Sequence, residues 1–208
     1  PCMDDDSVRR GKPSTHIKFG EASAVLAGNS LLTLAFEIIA DKNYNIKSKS
    51  KNEIIKSLAY CSGHTGIAGG QELDLKFEKK KKSLNQTISM QKKKTGKLFS
   101  FCLYAVGVLA KKDNKEKKFL SVLGEEIGLL FQLADDFLDV KGSKKLVGKP
   151  IKKDKKKGKS TLVNLMGYEK AHNYANNLKK KILLKLKKHG KKAKDLSDII
   201  EFILKRNF

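Results

Sequence analysis

Three carboxylates fall within one turn of an otherwise apolar stretch: Asp135, Asp136 and Asp139, in the run Phe131-Gln132-Leu133-Ala134-Asp135-Asp136-Phe137-Leu138-Asp139. From Phe119 to Leu138 the apolar residues (Phe119, Leu120, Leu123, Ile127, Leu130, Phe131, Ala134, Phe137, Leu138) recur at three- and four-residue spacing, which predicts a helix. At about 100° per residue, Asp135 and Asp139 stand nearly above one another, with Asp136 beside them. Like charges on one half-buried face repel and are costly to desolvate, so they require a counter-charge. Carboxylate oxygens suit a hard divalent cation, most often Mg²⁺ carrying a phosphate. A solvated acidic patch would have the same spacing, but Leu, Phe and Val flank these aspartates on both sides.

The opposite charge is abundant but uneven in kind. The formal net charge is +23, yet only Arg9, Arg10 and Arg206 are arginines among the 45 basic residues. Base readout favours arginine, stacking on bases needs aromatic platforms, and the chain has no Trp. The lysines spread over turns and helix faces instead of forming one stripe. Specific nucleic-acid binding is therefore disfavoured, while nonspecific attraction to polyanions at low salt is expected. Against this lysine background the adjacent pair Arg9-Arg10 stands out, because a guanidinium fork binds phosphate oxygens in pairs and never loses its charge.

Other chemistries lack their residues. His16, His64, His172 and His189 are isolated, and no pair has ligand spacing. Cys2, Cys61 and Cys102 form no disulfide framework or zinc pattern and are expected as free thiols. No Gly-x-Ser-x-Gly motif supports a serine nucleophile. Gly158-Lys159-Ser160-Thr161 is superficially like a phosphate-binding loop, but Lys153 stands where that loop needs glycine and no strand precedes it. No stretch of 18 uncharged apolar residues and no signal-like N-terminus occurs, so a soluble cytoplasmic protein with no transmembrane segment is expected.

Helical periodicity dominates the elements that must position these residues. Helices are predicted near 17–41, 51–62, 83–110, 115–141, 162–188 and 194–205, with no convincing alternating strand. Gly63, Gly66, Gly69 and Gly70 mark a break before Gln71, and the lysine-rich segment 141–160, with Pro150, reads as a loop. The expected fold class is an all-α bundle forming one domain over residues 1–208.

In that order along the chain, several segments resemble one family. The run from Gly128 to Val140 resembles the second aspartate-rich motif of the trans-isoprenyl diphosphate synthases, the farnesyl and geranylgeranyl diphosphate synthases. Asp4-Asp5-Asp6-Ser7-Val8-Arg9-Arg10-Gly11-Lys12-Pro13 resembles the end of the first such motif with its arginine pair. Phe19 to Ala22, Ala27 to Leu32, Gly70-Gln71-Glu72-Leu73-Asp74-Leu75, Lys94-Thr95, Gly148-Lys149 and Gly158 to Thr161 complete the set. The resemblance implies an isoprenoid-synthase-type helical bundle around a central cavity. It also implies a Mg²⁺-dependent prenyltransferase, condensing isopentenyl diphosphate with dimethylallyl or geranyl diphosphate, and a homodimer.

By the same resemblance, Asp135, Asp136, Asp139 and Asp4 would hold Mg²⁺. Arg9, Lys94 and Lys159 would contact the allylic diphosphate, Arg10 would grip isopentenyl diphosphate, and Lys149 would close over the site. Thr95, the Lys94 carbonyl and the Gln132 amide would face the allylic cation, with Gln71 and Asp74 in supporting polar roles. The chain begins at Pro1, inside the spacer of the first motif, so it is expected to be a polyprenyl synthetase domain truncated at its N-terminus. The leading expected product is farnesyl diphosphate, with geranylgeranyl or a longer product as the alternative. A terpene cyclase and a non-catalytic polyanion-binding subunit on the same fold are the competing readings.

Overall fold

The computed structural model of the chain describes residues 3–80, 82–141 and 159–206. Among them the structure is all-α, as the periodicity predicts, apart from one antiparallel pair of two-residue strands, β1 (Val8–Arg9) and β2 (Lys12–Pro13). Two residues per strand are too few to show alternation. The turn between them makes the ladder, with φ of 51° at Arg10 and 73° at Gly11.

Where one helix was expected over 17–41, two form, α1 (Thr15–Phe19) and α2 (Glu21–Ala40), because Gly20 adopts φ 86°. After α3 (Ser48–Ser62) comes α4 (Ile67–Phe77), which corrects the reading of its glycines as a break. The expected helix 83–110 is three pieces: α5 (Leu84–Gln91), a π-helical turn (Lys92–Gly96) and α6 (Lys97–Leu109). Ser83 and Gln86 start α5 with a reciprocal capping box. The long α7 (Asn114–Lys141) matches its expected span closely. Gly167, at φ 81°, divides the next expected helix into α8 (Leu162–Met166) and α9 (Tyr168–Leu186). A 3₁₀ segment (Lys187–Ala193) and α10 (Lys194–Ile203) follow.

The core lies along α7. Its Leu123, Leu129, Leu130, Leu133 and Ala134 pack with Ala175, Leu178, Ile182 and Leu186 of α9 and with Ile200 and Ile203 of α10. Each leucine so buried contributes about 1.5–3 kcal/mol. Glu126, buried on α7, accepts from Lys185 at 2.6 Å and forms an ion pair with Lys181 at 3.3 Å, and so keeps α9 in register.

On the other side, α4, the π-turn and α7 approach at backbone distance. A Cβ on Gly70 would lie 2.2 Å from the Lys94 nitrogen, and one on Gly128 would lie 2.5 Å from the Gly96 Cα. Farther along, α3 is tied to α6 and α7 through Glu53, which accepts from the Tyr104 hydroxyl (2.7 Å) and the Lys117 ammonium (2.6 Å).

Helix α2 buries none of its residues and exposes Val25, Leu26, Leu31, Leu32, Leu34 and Ile38. Among the described residues it is one helix long and apolar enough, by length and composition, to cross a membrane. Glu37 is the charge that interrupts its apolar run.

Two measurements test this packing. Gly70→Ala is expected to lower stability by about 1–3 kcal/mol in urea unfolding, since backbone must move. Gly28→Ala, where a Cβ meets nothing within 4 Å in the exposed α2, is expected to be neutral or stabilising by about 0.5–1 kcal/mol. Burial, reinforced by the bond to Glu53 and its charge, pushes the Tyr104 phenol up to about 12. Its folded pKa is raised, so its stabilisation is complete below the unfolded value near 10 and is lost as pH climbs through about 12. The stability gap between the wild type and Tyr104→Phe, about 1–2 kcal/mol at pH 8, should therefore close at the alkaline end.

Candidate active site

The site is built where α5 and the π-turn run antiparallel to α7. Gln91 lies opposite Asp136, and Thr95 lies opposite Gln132. The Gln91 amide Nε2 donates to Asp136 Oδ2 at 3.0 Å, and the Gln132 amide Nε2 donates to Asp136 Oδ1 at 2.9 Å. The Thr95 hydroxyl donates in turn to Gln132 Oε1 at 2.8 Å. Asp136, only 2% exposed, is thus held by amide N–H groups from two helices. Had Lys92–Gly96 stayed α-helical, Gln91 and Thr95 would sit one turn apart in a different phase; the wider π-turn sets their relation.

Two ammonium groups face this carboxylate network. Lys94 Nζ lies 2.6 Å from Asp74 Oδ2, and Lys159 Nζ lies 2.9 Å from Asp4 Oδ1 and 4.0 Å from Asp74 Oδ2. Asp74, on α4 and 5% exposed, therefore anchors both lysines. The backbone carrying Lys159 is fixed too. Asn164 donates to the Lys159 carbonyl (2.9 Å), Thr161 caps α8, and the Ser160 hydroxyl reaches the carbonyls of Phe77 (3.3 Å) and Lys80 (3.2 Å). Asp74, Gln91, Lys94, Gln132, Asp136 and Lys159 line one cavity of about 40 Å³, room for a few waters.

The structure brings together Asp4, Asp74, Lys94, Thr95, Gln132, Asp136 and Lys159. Asp135 takes a different partner: Arg206 Nη2 lies 2.6 Å from its Oδ1, with the guanidinium 3.9 Å above the Phe131 ring. Asp139 is buried on the same helix. Arg9 and Arg10 sit exposed on the β1–β2 hairpin and do not line the cavity, Arg9 being 3.9 Å from Asp6. Gln71 lies on α4, its Nε2 buried with no hydrogen-bond partner among the described residues. Lys149 lies outside the described residues.

Sequence reasoning missed Gln91 and Arg206. The scarcity of arginine that singled out Arg9-Arg10 applies equally to Arg206 and could have found it. A glutamine beside three lysines carries no such signal.

The donor set fits a hard cation. The carboxylates of Asp135, Asp136 and Asp139 offer only oxygens. Among the described residues no three acidic, imidazole or thiol side chains close a shell by themselves.

The sequence pattern of the family described as polyprenyl synthetase matches residues 2–203. The chain belongs to that family. It is 39% identical over 214 residues to the farnesyl diphosphate synthase of Escherichia coli, covering all of this chain and 71% of that protein. To the farnesyl diphosphate synthase of Bacillus subtilis it is 38% identical over 172 residues, 82% of this chain. The aligned part spans 58% of the Bacillus subtilis protein, less than two thirds of its length. The fold is likewise similar to the crystal structure of a geranyltransferase from Helicobacter pylori in complex with magnesium and isoprenyl diphosphate. There the TM-score is 0.85 at 35% identity, covering 99% of this chain and 67% of that one. The all-α bundle of this polyprenyl synthetase family member is thus of the isoprenoid-synthase type.

Asp74 is the joint on which both cavity lysines turn. Asp74→Asn is expected to destabilise the fold by about 2 kcal/mol in denaturant titration, because Lys94 loses its charged partner in a half-buried site. Glu72→Gln, which breaks an exposed pair with Lys76 on the same helix, should change stability by less than about 0.5 kcal/mol.

Proposed function

We propose that this chain forms the catalytic part of a prenyltransferase that joins isopentenyl diphosphate to an allylic diphosphate, with Mg²⁺ and with farnesyl diphosphate as product. The observation that carries the reading is one cavity with an amide-held carboxylate on one wall and two anchored ammonium groups on the other. Diphosphate and a divalent cation are the pair of charges that such walls would take together. The likeness to farnesyl diphosphate synthases supports the product length.

Lys94 and Lys159 would bind the allylic diphosphate through its oxygens, while Asp135, Asp136 and Asp139 would hold Mg²⁺, with Asp4 contributing from the hairpin side. Bound there, the cation supplies neutralisation of the leaving diphosphate. The carbon–oxygen bond breaks, and diphosphate leaves with its electron pair. The isopentenyl double bond would supply the pair for the new carbon–carbon bond, and the C–H pair of the resulting cation would form the new double bond as its proton passes to the departed diphosphate. Thr95 donates its hydroxyl hydrogen bond to Gln132 Oε1, so its own lone pairs would stay available to positive charge on the allylic carbon. Fixed dipoles of this kind lower a barrier without reorganising during the step. Arg9 would add a diphosphate contact, and Arg10 and Lys149 would act on isopentenyl diphosphate and on closure of the site. Closure excludes water, which would otherwise quench the cation.

The test uses the full-length gene product with isopentenyl diphosphate and dimethylallyl or geranyl diphosphate, products being weighed by mass spectrometry. A C15 diphosphate formed only with Mg²⁺ is expected, and Asp136→Asn should lower kcat by about 10²–10³-fold. A C20 product would move the chain length to geranylgeranyl, and a cyclised hydrocarbon would move the enzyme to the cyclases. Absence of product from folded protein would sink the catalytic reading.

A further inference from the structure

Gln91 is the residue of this cavity that the proposed chemistry leaves without a task. It is 3% exposed, it is the last residue of α5, and it lines the cavity with Asp136, Gln132, Lys94 and Lys159. Its orientation is determined by its neighbour. Asp136 Oδ2 can only accept, so the Gln91 nitrogen must face it at 3.0 Å; turning the amide over would set carbonyl against carboxylate. The carbonyl Oε1 is then left buried, with no hydrogen-bond partner among the described residues. Buried carbonyls of this kind are uncommon and require a donor.

The ligand proposed for the cavity limits what that donor can be. Diphosphate oxygens are acceptors at neutral pH and would repel the carbonyl. An isoprenoid chain has no polar hydrogen. Lys94 is already held by Asp74 at 2.6 Å. The remaining donors that such a ligand brings are waters carried on its divalent cation, polarised by the metal and strongly donating.

We infer that Gln91 is a positioning residue for the hydrated cation. Its N–H holds Asp136 in place, and its carbonyl accepts a hydrogen bond from a cation-bound water. The inference rests on the reading of this cavity as a cation–diphosphate site. It adds a second amide, from α5, to the one that Gln132 supplies from α7. Partners standing just behind metal ligands commonly set metal affinity by about 10–100-fold.

The probes are Mg²⁺ and inorganic diphosphate, titrated by calorimetry into full-length wild type, Gln91→Met and Gln91→Asn. Methionine keeps the shape of glutamine and removes both polar contacts; asparagine keeps the amide but cannot span both partners, and it serves if the methionine variant misfolds. Expected is a loss of about 10-fold in Mg²⁺ affinity in the presence of diphosphate. Diphosphate binding in EDTA should stay within twofold, while the melting temperature falls because buried Asp136 loses a donor. Unchanged Mg²⁺ affinity, whatever the melting temperature does, would overturn the inference and leave Gln91 a packing residue. A wild type that binds no Mg²⁺–diphosphate would instead overturn the reading of the cavity itself.

Discussion

A carboxylate buried at Asp136 has to be surrounded by donors, and that requirement organises the centre of the molecule. Its two oxygens are satisfied from two directions, by Gln132 one turn earlier on α7 and by Gln91 on α5. For Gln91 to arrive, the chain carrying it must lie against α7 almost backbone to backbone. Gly96 and Gly128 allow this approach, since a Cβ on Gly128 would collide with the Gly96 Cα. The π-turn at Lys92–Gly96 then lets one strand of contacts serve two purposes. Its outer face is pressed by Gly70 of α4, and its inner face delivers Thr95 to Gln132. The residues that do chemistry and the residues that make the helices fit are interleaved one by one along the same five-residue turn.

What the sequence makes legible follows from which signals are local. The aspartates of α7 announce themselves because charge at helical spacing inside an apolar run is costly and therefore informative. The span of α7 is legible for the same reason. Glycine is ambiguous: Gly69 and Gly70 read as breakers in sequence, yet α4 runs through them, because the surface that Gly70 clears is occupied by the Lys94 backbone. That is a tertiary fact that no window of sequence contains. The π-turn is hidden likewise, since its extra residue is favoured only once α4 and α7 close on it from both sides. Gly20 and Gly167 are breaks in fact, each at positive φ, where the helical periodicity on either side predicts continuity.

Charge was legible in amount but not in arrangement. A net charge of +23 surrounds the molecule with an attractive field for anions, which raises encounter rates without choosing a site. The choice lies in which cations are immobilised. Lys94 and Lys159 are held by Asp74 and Asp4, and Lys159 is further fixed through its own carbonyl by Asn164. Arginine scarcity correctly marks guanidinium groups as worth explaining. The structure sets Arg206, against Asp135 and the Phe131 ring, while the Arg9-Arg10 pair stands on an exposed hairpin.

The charged groups named in the site are largely engaged with one another or with amides. Each ammonium named above has a carboxylate, Asp135 has Arg206, and Asp136 has its two amides. On the proposed reading, such a site would favour a ligand that brings both signs at once. A lone diphosphate would meet lysines whose charge is shared with Asp4 and Asp74, and it would approach three aspartates on α7. A lone divalent cation would meet those aspartates with Arg206 and two lysines close by. Either ion alone gains one wall and is opposed by the other. A cation and a diphosphate arriving together can replace the internal pairs on both walls, each new contact relieving a charge that the departing partner uncovers. In a low-dielectric pocket that exchange would favour the two arriving as a unit over either alone.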